Sequence, residues 1–233
     1  MARWVIDALY GGRETGHIGK KGRLEKNIVL DAAMEAMKIL KHNDEDVFLI
    51  RENDSYIEIN ERLEWAKKWK ADYYICLAMN FDEDENVKGT EVYINQRDET
   101  SRELGNIVLA DMSLSFGNEN TGVKENDNPL LDKLDIPIII CLGDYISNEE
   151  VEKNFNAKKY GRIVARACVK YVGKIPKNEF KLTVHDEERR KVQSGWKVCT
   201  GFYSDFDDAK KALENVKSRG ISGAYIIPDT KRK

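Results

Sequence analysis

Side chains able to hold a metal or move a proton are few in this sequence and widely spread. Three histidines, His17, His42 and His185, are its whole imidazole complement. A catalytic metal centre needs three ligands of histidine, cysteine or carboxylate type and one open position. The cysteines Cys76, Cys141, Cys168 and Cys199 show no CxxC spacing. Cys76 and Cys141 lie in apolar runs, where a free thiol behaves as a small hydrophobe. His42 closes a charged helical stretch and reads as a surface residue, and His185 lies far downstream in another charged stretch. His17 sits between Tyr10 and Glu25 and is placed to approach both, although a lone loop histidine is read first as exposed. The carboxylate run Asp82-Glu83-Asp84-Glu85 does not follow the spacing of an EF-hand loop. Trp65 and Trp69, among Lys67, Lys68 and Lys70, read as half-buried indoles beside a solvated lysine face.

The elements that must position these groups are legible from periodicity. Short runs rich in β-branched and aromatic residues, at 4–7, 46–50, 73–77, 91–94 and 137–142, predict strands, several of them apolar throughout. Such strands are buried on both faces, which calls for a mostly parallel sheet covered by helices. Helical periodicity predicts helices over 25–41, 57–70, 98–114 and 156–171. The first buries Ile28, Ala32 and Ala36, with Met37 and Leu40 beside them, and the second buries Ile59, Leu63 and Ala66. The stretch 117–135, rich in Asn, Asp and Gly, reads as a long loop. An α/β layered domain over 1–173 follows. Residues 174–179 have the composition of a linker, and 180–233 predict a small α+β module. The net charge of -3 gives no reason to expect nucleic acid. No run approaches the roughly 18 consecutive apolar residues of a membrane span.

In chain order, several segments resemble the zinc-dependent N-acetylmuramoyl-L-alanine amidases. Ile6-Asp7-Ala8-Leu9-Tyr10-Gly11-Gly12 matches that family's IDxGHGG, and Leu24-Glu25-Lys26-Asn27 its helix start. Arg51-Glu52-Asn53-Asp54 resembles TRxxD, and Glu61-Arg62 with Ala66 resembles ERxxxAN. Ile75 to Asn80 matches SIHxN, Lys88 to Tyr93 matches KGxEVY, and Pro137 to Asn148 matches PAxLVExGFISN. The resemblance implies the layered α/β fold and cleavage of the bond between muramic acid and the stem peptide. It implies a zinc held by the His of GHGG, the helix-start Glu and the His of SIHxN, with the Glu of VExGF as base.

At those positions this sequence has Tyr10, Glu25, Ala78 and Leu142. Only Glu25 is retained, so neither zinc nor another cofactor is expected, and Leu9, Tyr10, Ala78 and Leu142 are expected to plug the former pocket. Asp144, two residues beyond Leu142, is not a substitute, because side-chain direction changes along a strand end. A rebuilt metal site would have to use Glu25 and His17.

Downstream, Trp196 to Ser204 resembles the YxVQxGxFS strand of SPOR domains, which bind peptidoglycan. Asp208-Ala209, Leu213 and Gly220 resemble the helix and turn that follow. Trp196, Phe202 and Tyr203 are the candidate glycan contacts. Three readings follow. The chain is an inactive amidase homologue that binds peptidoglycan, cell-wall fragments, an active amidase or itself. Alternatively it is a divergent, lysin-like amidase with a rebuilt metal site, or an assembly protein of a phage or spore that uses the scaffold for self-association. With no segment of signal-peptide type, synthesis in the cytoplasm is expected, with wall association only after release by another route.

Overall fold

The computed structural model describes residues 1–95, 98–128, 130–131 and 133–177. The module expected over 180–233, with Trp196, Phe202, Tyr203, His185 and Cys199, lies outside the described residues. Along the chain run β1 (Arg3–Ala8), α1 (Glu25–His42), β2 (Asp46–Leu49), α2 (Ile59–Trp69), β3 (Tyr73–Asn80) and β4 (Glu91–Ile94). They are followed by α3 (Glu99–Phe116), β5 (Lys124–Glu125), β6 (Ile138–Tyr145), α4 (Glu149–Asn154) and α5 (Ala157–Tyr171). The strands form one sheet in the order β2-β1-β3-β6-β4-β5. Its β2, β1, β3 and β6 run parallel, and β4 is antiparallel to β6.

Strand alternation sorts the core into two faces. Trp4, Ile6, Ile75, Leu77, Ile139 and Cys141 pack on one side in a single cluster with residues of α1, α3 and α5. On the other side Val5, Tyr74, Cys76, Ala78, Ile140 and Leu142 meet Leu63 and Ala66 of α2. Both faces are covered, which is why these strands read as continuous apolar runs. Trp65 and Trp69 are half-buried beside Phe48, with ring centroids 6.3 and 5.8 Å away. His42 is exposed.

Four features depart from the sequence-based expectation. Ile59, expected inward, is 40% exposed, because it opens α2 and the buried position one turn later belongs to Arg62. The stretch 117–135 is not wholly loop: it contributes the two-residue edge strand β5 and buries Leu130 and Leu131. β3 and β6 run beyond Leu77 and Leu142, to Asn80 and Tyr145. The helix α4 was not anticipated, and it is capped by Asn148, whose side chain accepts from the N–H groups of Glu150 and Val151.

Candidate functional site at the carboxyl end of the sheet

The loop leaving β1 carries Tyr10, and a framework of cations holds it from beneath. The Arg51 guanidinium donates to the carbonyls of Ala8 (2.8 Å) and Lys26 (2.7 Å). Arg62 donates to the carbonyls of Ile57 (2.8 Å) and Tyr10 (3.1 Å) and to the Asp7 carboxylate. Asp7 is fully buried, and its second oxygen accepts from the Tyr74 hydroxyl at 2.6 Å. A buried ion pair survives only when the remaining donors and acceptors are also matched, as they are here. Asp54 joins the framework by accepting from the Gly12 N–H (2.8 Å) and from Lys26 Nζ (2.6 Å). The Lys26 ammonium holds the Asp54 carboxyl below its ordinary range. Within this frame Tyr10 has φ +65°, in the left-handed region that a side chain adopts at some cost.

Residues 13–24 return the chain to α1 and supply its N-terminal caps through the backbone. The carbonyls of His17 and Thr15 accept from the N–H groups of Glu25 (3.0 Å) and Lys26 (3.1 Å). The loop is anchored at its far end by Glu152 of α4, whose buried carboxylate accepts from the N–H groups of Lys21 and Arg23. Lys21 also pairs with Glu149 at 2.5 Å.

These anchors bring Glu25, His17 and Tyr10 together. Glu25 is fully buried; its Oε1 accepts from the Met79 N–H at 2.7 Å, and its Oε2 accepts from the His17 N–H at 2.9 Å. His17 Nδ1 lies 2.9 Å from the same Oε2, so the ring proton belongs on Nδ1. The hydrogen bond to Glu25 raises the His17 pKa above its ordinary value, against the opposing effect of burial. His17, expected to be an exposed loop residue, is therefore drawn onto Glu25, and its ring stacks on Phe81 at 5.2 Å. Tyr10 meets the His17 ring edge-on at 6.5 Å. Gly16, at φ +66°, makes this approach possible: a Cβ there would sit 2.7 Å from Glu25 Oε2 and 2.6 Å from the Tyr10 ring.

The other two positions are apolar. Ala78 and Leu142 are partners across β3 and β6, both buried, and Leu9 packs against the same cluster. Asp144 does not turn toward them; its Oδ1 accepts from the N–H groups of Gly89 (2.7 Å) and Tyr145 (2.8 Å). The run 82–85 is exposed, with Asp84 bonded to Asn86 and Glu85 to Lys20. Two open clefts of about 340 and 580 Å³ lie at the opposite end of the sheet, both lined by Met1 and Glu45.

As a donor set for zinc, these groups fall short. One carboxylate is already engaged by three N–H donors, and the phenol of Tyr10 is pushed up to about 12 by burial and by Glu25. A phenol at that value is a neutral hydroxyl at physiological pH and a poor ligand. Among the described residues, no three His, Cys, Asp or Glu side chains stand close enough to share a metal. No helix among them is long and apolar enough to cross a membrane.

A second polar group adjoins the site and had not been singled out. Glu91 of β4 pairs with Leu142 across the sheet. Its carboxylate accepts from Tyr93 (2.8 Å), Tyr145 (2.9 Å), Asn80 (3.1 Å) and Lys124 (2.5 Å). The alternation that puts Glu91 and Tyr93 on one face was visible in the sequence, but the contribution of β3, β5 and β6 depends on strand order.

Residues 5–174 match the family model described as N-acetylmuramoyl-L-alanine amidase. A putative N-acetylmuramoyl-L-alanine amidase of Buchnera aphidicola is 31% identical over 126 residues, which are 53% of this chain and 53% of that protein. The probable cell wall amidase LytH of Staphylococcus epidermidis is 27% identical over 168 residues, 71% of this chain and 55% of that protein. The chain thus spans about half the length of these two relatives. Among solved structures, N-acetylmuramoyl-L-alanine amidase AmiC2 of Nostoc punctiforme superposes with a TM-score of 0.69 at 23% identity, over 74% of this chain and 98% of that one. That likeness extends to the mostly parallel sheet flanked by helices, and with a family match over most of the chain, the protein belongs to the N-acetylmuramoyl-L-alanine amidase family.

Proposed function

We propose that this chain is a non-hydrolysing member of its family, one that binds peptidoglycan or a cell-wall partner and holds no catalytic zinc. The observation that carries this reading is the state of Glu25: its carboxylate is engaged by Met79 and His17, while Tyr10, Ala78 and Leu142 stand where two imidazoles and a base would be required. A metal-activated water needs both the metal and a group to take its proton. A leucine cannot take that proton, and an alanine cannot ligate. The framework beneath the site, in contrast, is complete, which suits a surface kept for recognition. The partner would be wall material, an active amidase or a second copy of this chain.

Zinc content, hydrolysis and retention are measured together on the purified full chain. We expect substoichiometric zinc, no release of stem peptide from purified sacculi, and retention of the protein on those sacculi. Stoichiometric zinc with hydrolysis lost on chelation would overturn the inactive assignment, and absence of retention at low salt would overturn wall binding.

The contact between His17 and Glu25 favours one second reading, a rebuilt metal site in a divergent amidase. It would require Glu25 to exchange the His17 hydrogen bond for a metal, with His17 as a co-ligand. The same zinc measurement decides between the two.

A further inference from the structure

Among the described residues Glu91 has four donors, and they differ in how firmly they are held. Asn80, Tyr93 and Tyr145 stand on the central strands β3, β4 and β6. Lys124 comes from β5, a two-residue edge strand within the long 117–135 stretch, and its side chain is 48% exposed. The Glu91 side chain is only 10% exposed. A nearly buried carboxylate with fixed tyrosine hydroxyls thus forms a cradle, and Lys124, its cationic occupant among the described residues, arrives on a flexible stem from the sheet edge. Both tyrosines keep their protons, since burial and Glu91 raise their pKa values. Each hydroxyl that donates to Glu91 retains lone pairs able to accept from an ammonium. One carboxylate among neutral hydroxyls suits a monovalent N–H donor, whereas a divalent ion favours a fuller oxygen shell. The cradle also lies beside the site, because Glu91 is the cross-strand partner of Leu142 and Asn80 follows Ala78 by two residues.

We propose that the Glu91–Tyr93–Tyr145–Asn80 cradle is a subsite for a primary ammonium on a peptide ligand, and that Lys124 is its resident competitor. This rests on the wall-binding reading and refines it by assigning the polar contact to an amine-bearing peptide. Binding replaces one ammonium with another, so the cradle never loses its counter-charge. The intrinsic affinity is reduced by the fraction of time Lys124 is seated.

The test uses the full chain, calorimetry, and the tripeptide L-Ala-γ-D-Glu-L-Lys with its ε-ammonium free or acetylated. Lys124→Ala, at an exposed edge, should bind the free-amine peptide more tightly than the unmodified chain, by about tenfold if Lys124 is seated nine-tenths of the time. Acetylation should remove the binding, and Glu91→Gln in the Lys124→Ala background should do the same. Equal affinity of the unmodified chain and Lys124→Ala, or equal binding of the two peptides, overturns the proposal. Sacculus retention is scored separately. Amine-dependent peptide binding without retention leaves the subsite standing and rejects wall binding, and retention without amine dependence does the reverse.

Discussion

One carboxylate oxygen of Glu25 accepts from two atoms of the same residue, the backbone N–H and Nδ1 of His17, each at 2.9 Å. This two-point contact uses the lone pairs that a metal ligand would have to offer. The other oxygen is spent on the Met79 N–H. Glu25 thus acts as a brace that ties the 13–24 loop to the end of β3. A metal bound here would need further ligands strong enough to turn Glu25 away from His17.

That competition can be measured. The double substitution Tyr10→His and Ala78→His should raise bound zinc from well below one to about one per chain, since it completes a three-ligand set with Glu25. Elemental analysis after dialysis against zinc gives the stoichiometry. Zinc binding by the unsubstituted chain at the same level would contradict the account.

His17 should titrate above 6.5, because its hydrogen bond to Glu25 favours the charged ring. The folded pKa is raised over the unfolded one. The resulting stability is therefore complete below about 6.5 and is lost as the pH rises through the raised folded value. Imidazole proton shifts followed by NMR report the pKa directly, and Glu25→Gln should bring it down. A wild-type value below 6.5 would show that burial outweighs the hydrogen bond.

Arg62→Ala should destabilise the fold by about 3–5 kcal/mol, because it strands a buried Asp7 without its cation. Tyr74→Phe leaves only one oxygen of that carboxylate without its hydroxyl donor and should cost about 1–3 kcal/mol. Urea unfolding of the two variants tests the ranking as well as the sizes. A smaller loss for Arg62→Ala than for Tyr74→Phe would show that Asp7 finds another partner.

Glu152→Ala removes the acceptor for the Lys21 and Arg23 N–H groups. Hydrogen exchange at those two amides should accelerate, while exchange in β3 stays unchanged. The His17 pKa should also fall as the loop loses its far anchor. Unaltered exchange at both amides would mean that the contacts with α1 suffice to hold the loop.

Much of this architecture could be read before any coordinates, because its central strands are apolar on both faces and its long helices keep a steady period. The misses share a cause. β5 has two residues and α4 has six, too few for any period to register. Ile59 was assigned by period alone, yet a helix's first turn can leave the core, and the polar Arg62 took the interior because Asp7 was waiting for it. At the site, the resemblance to the amidase motifs identified Tyr10, Glu25, Ala78 and Leu142 one by one. The seating of His17 depends on Gly16 and on anchoring by Glu152, more than a hundred residues away in sequence. Glu91, Tyr93 and Tyr145 carried no catalytic signature, and only the insertion of antiparallel β4 beside β6 makes them neighbours.

The framework of Arg51, Arg62, Lys26 and Asp54 grips the β1 loop through carbonyl oxygens and one backbone N–H, and none of these bonds involves the side chain at position 10. These contacts therefore do not depend on which side chain is displayed, and what the position does demand is a residue that tolerates a left-handed backbone. Substitutions that meet that demand leave the grip on the loop in place, so the group displayed there can be exchanged while the scaffold stays intact.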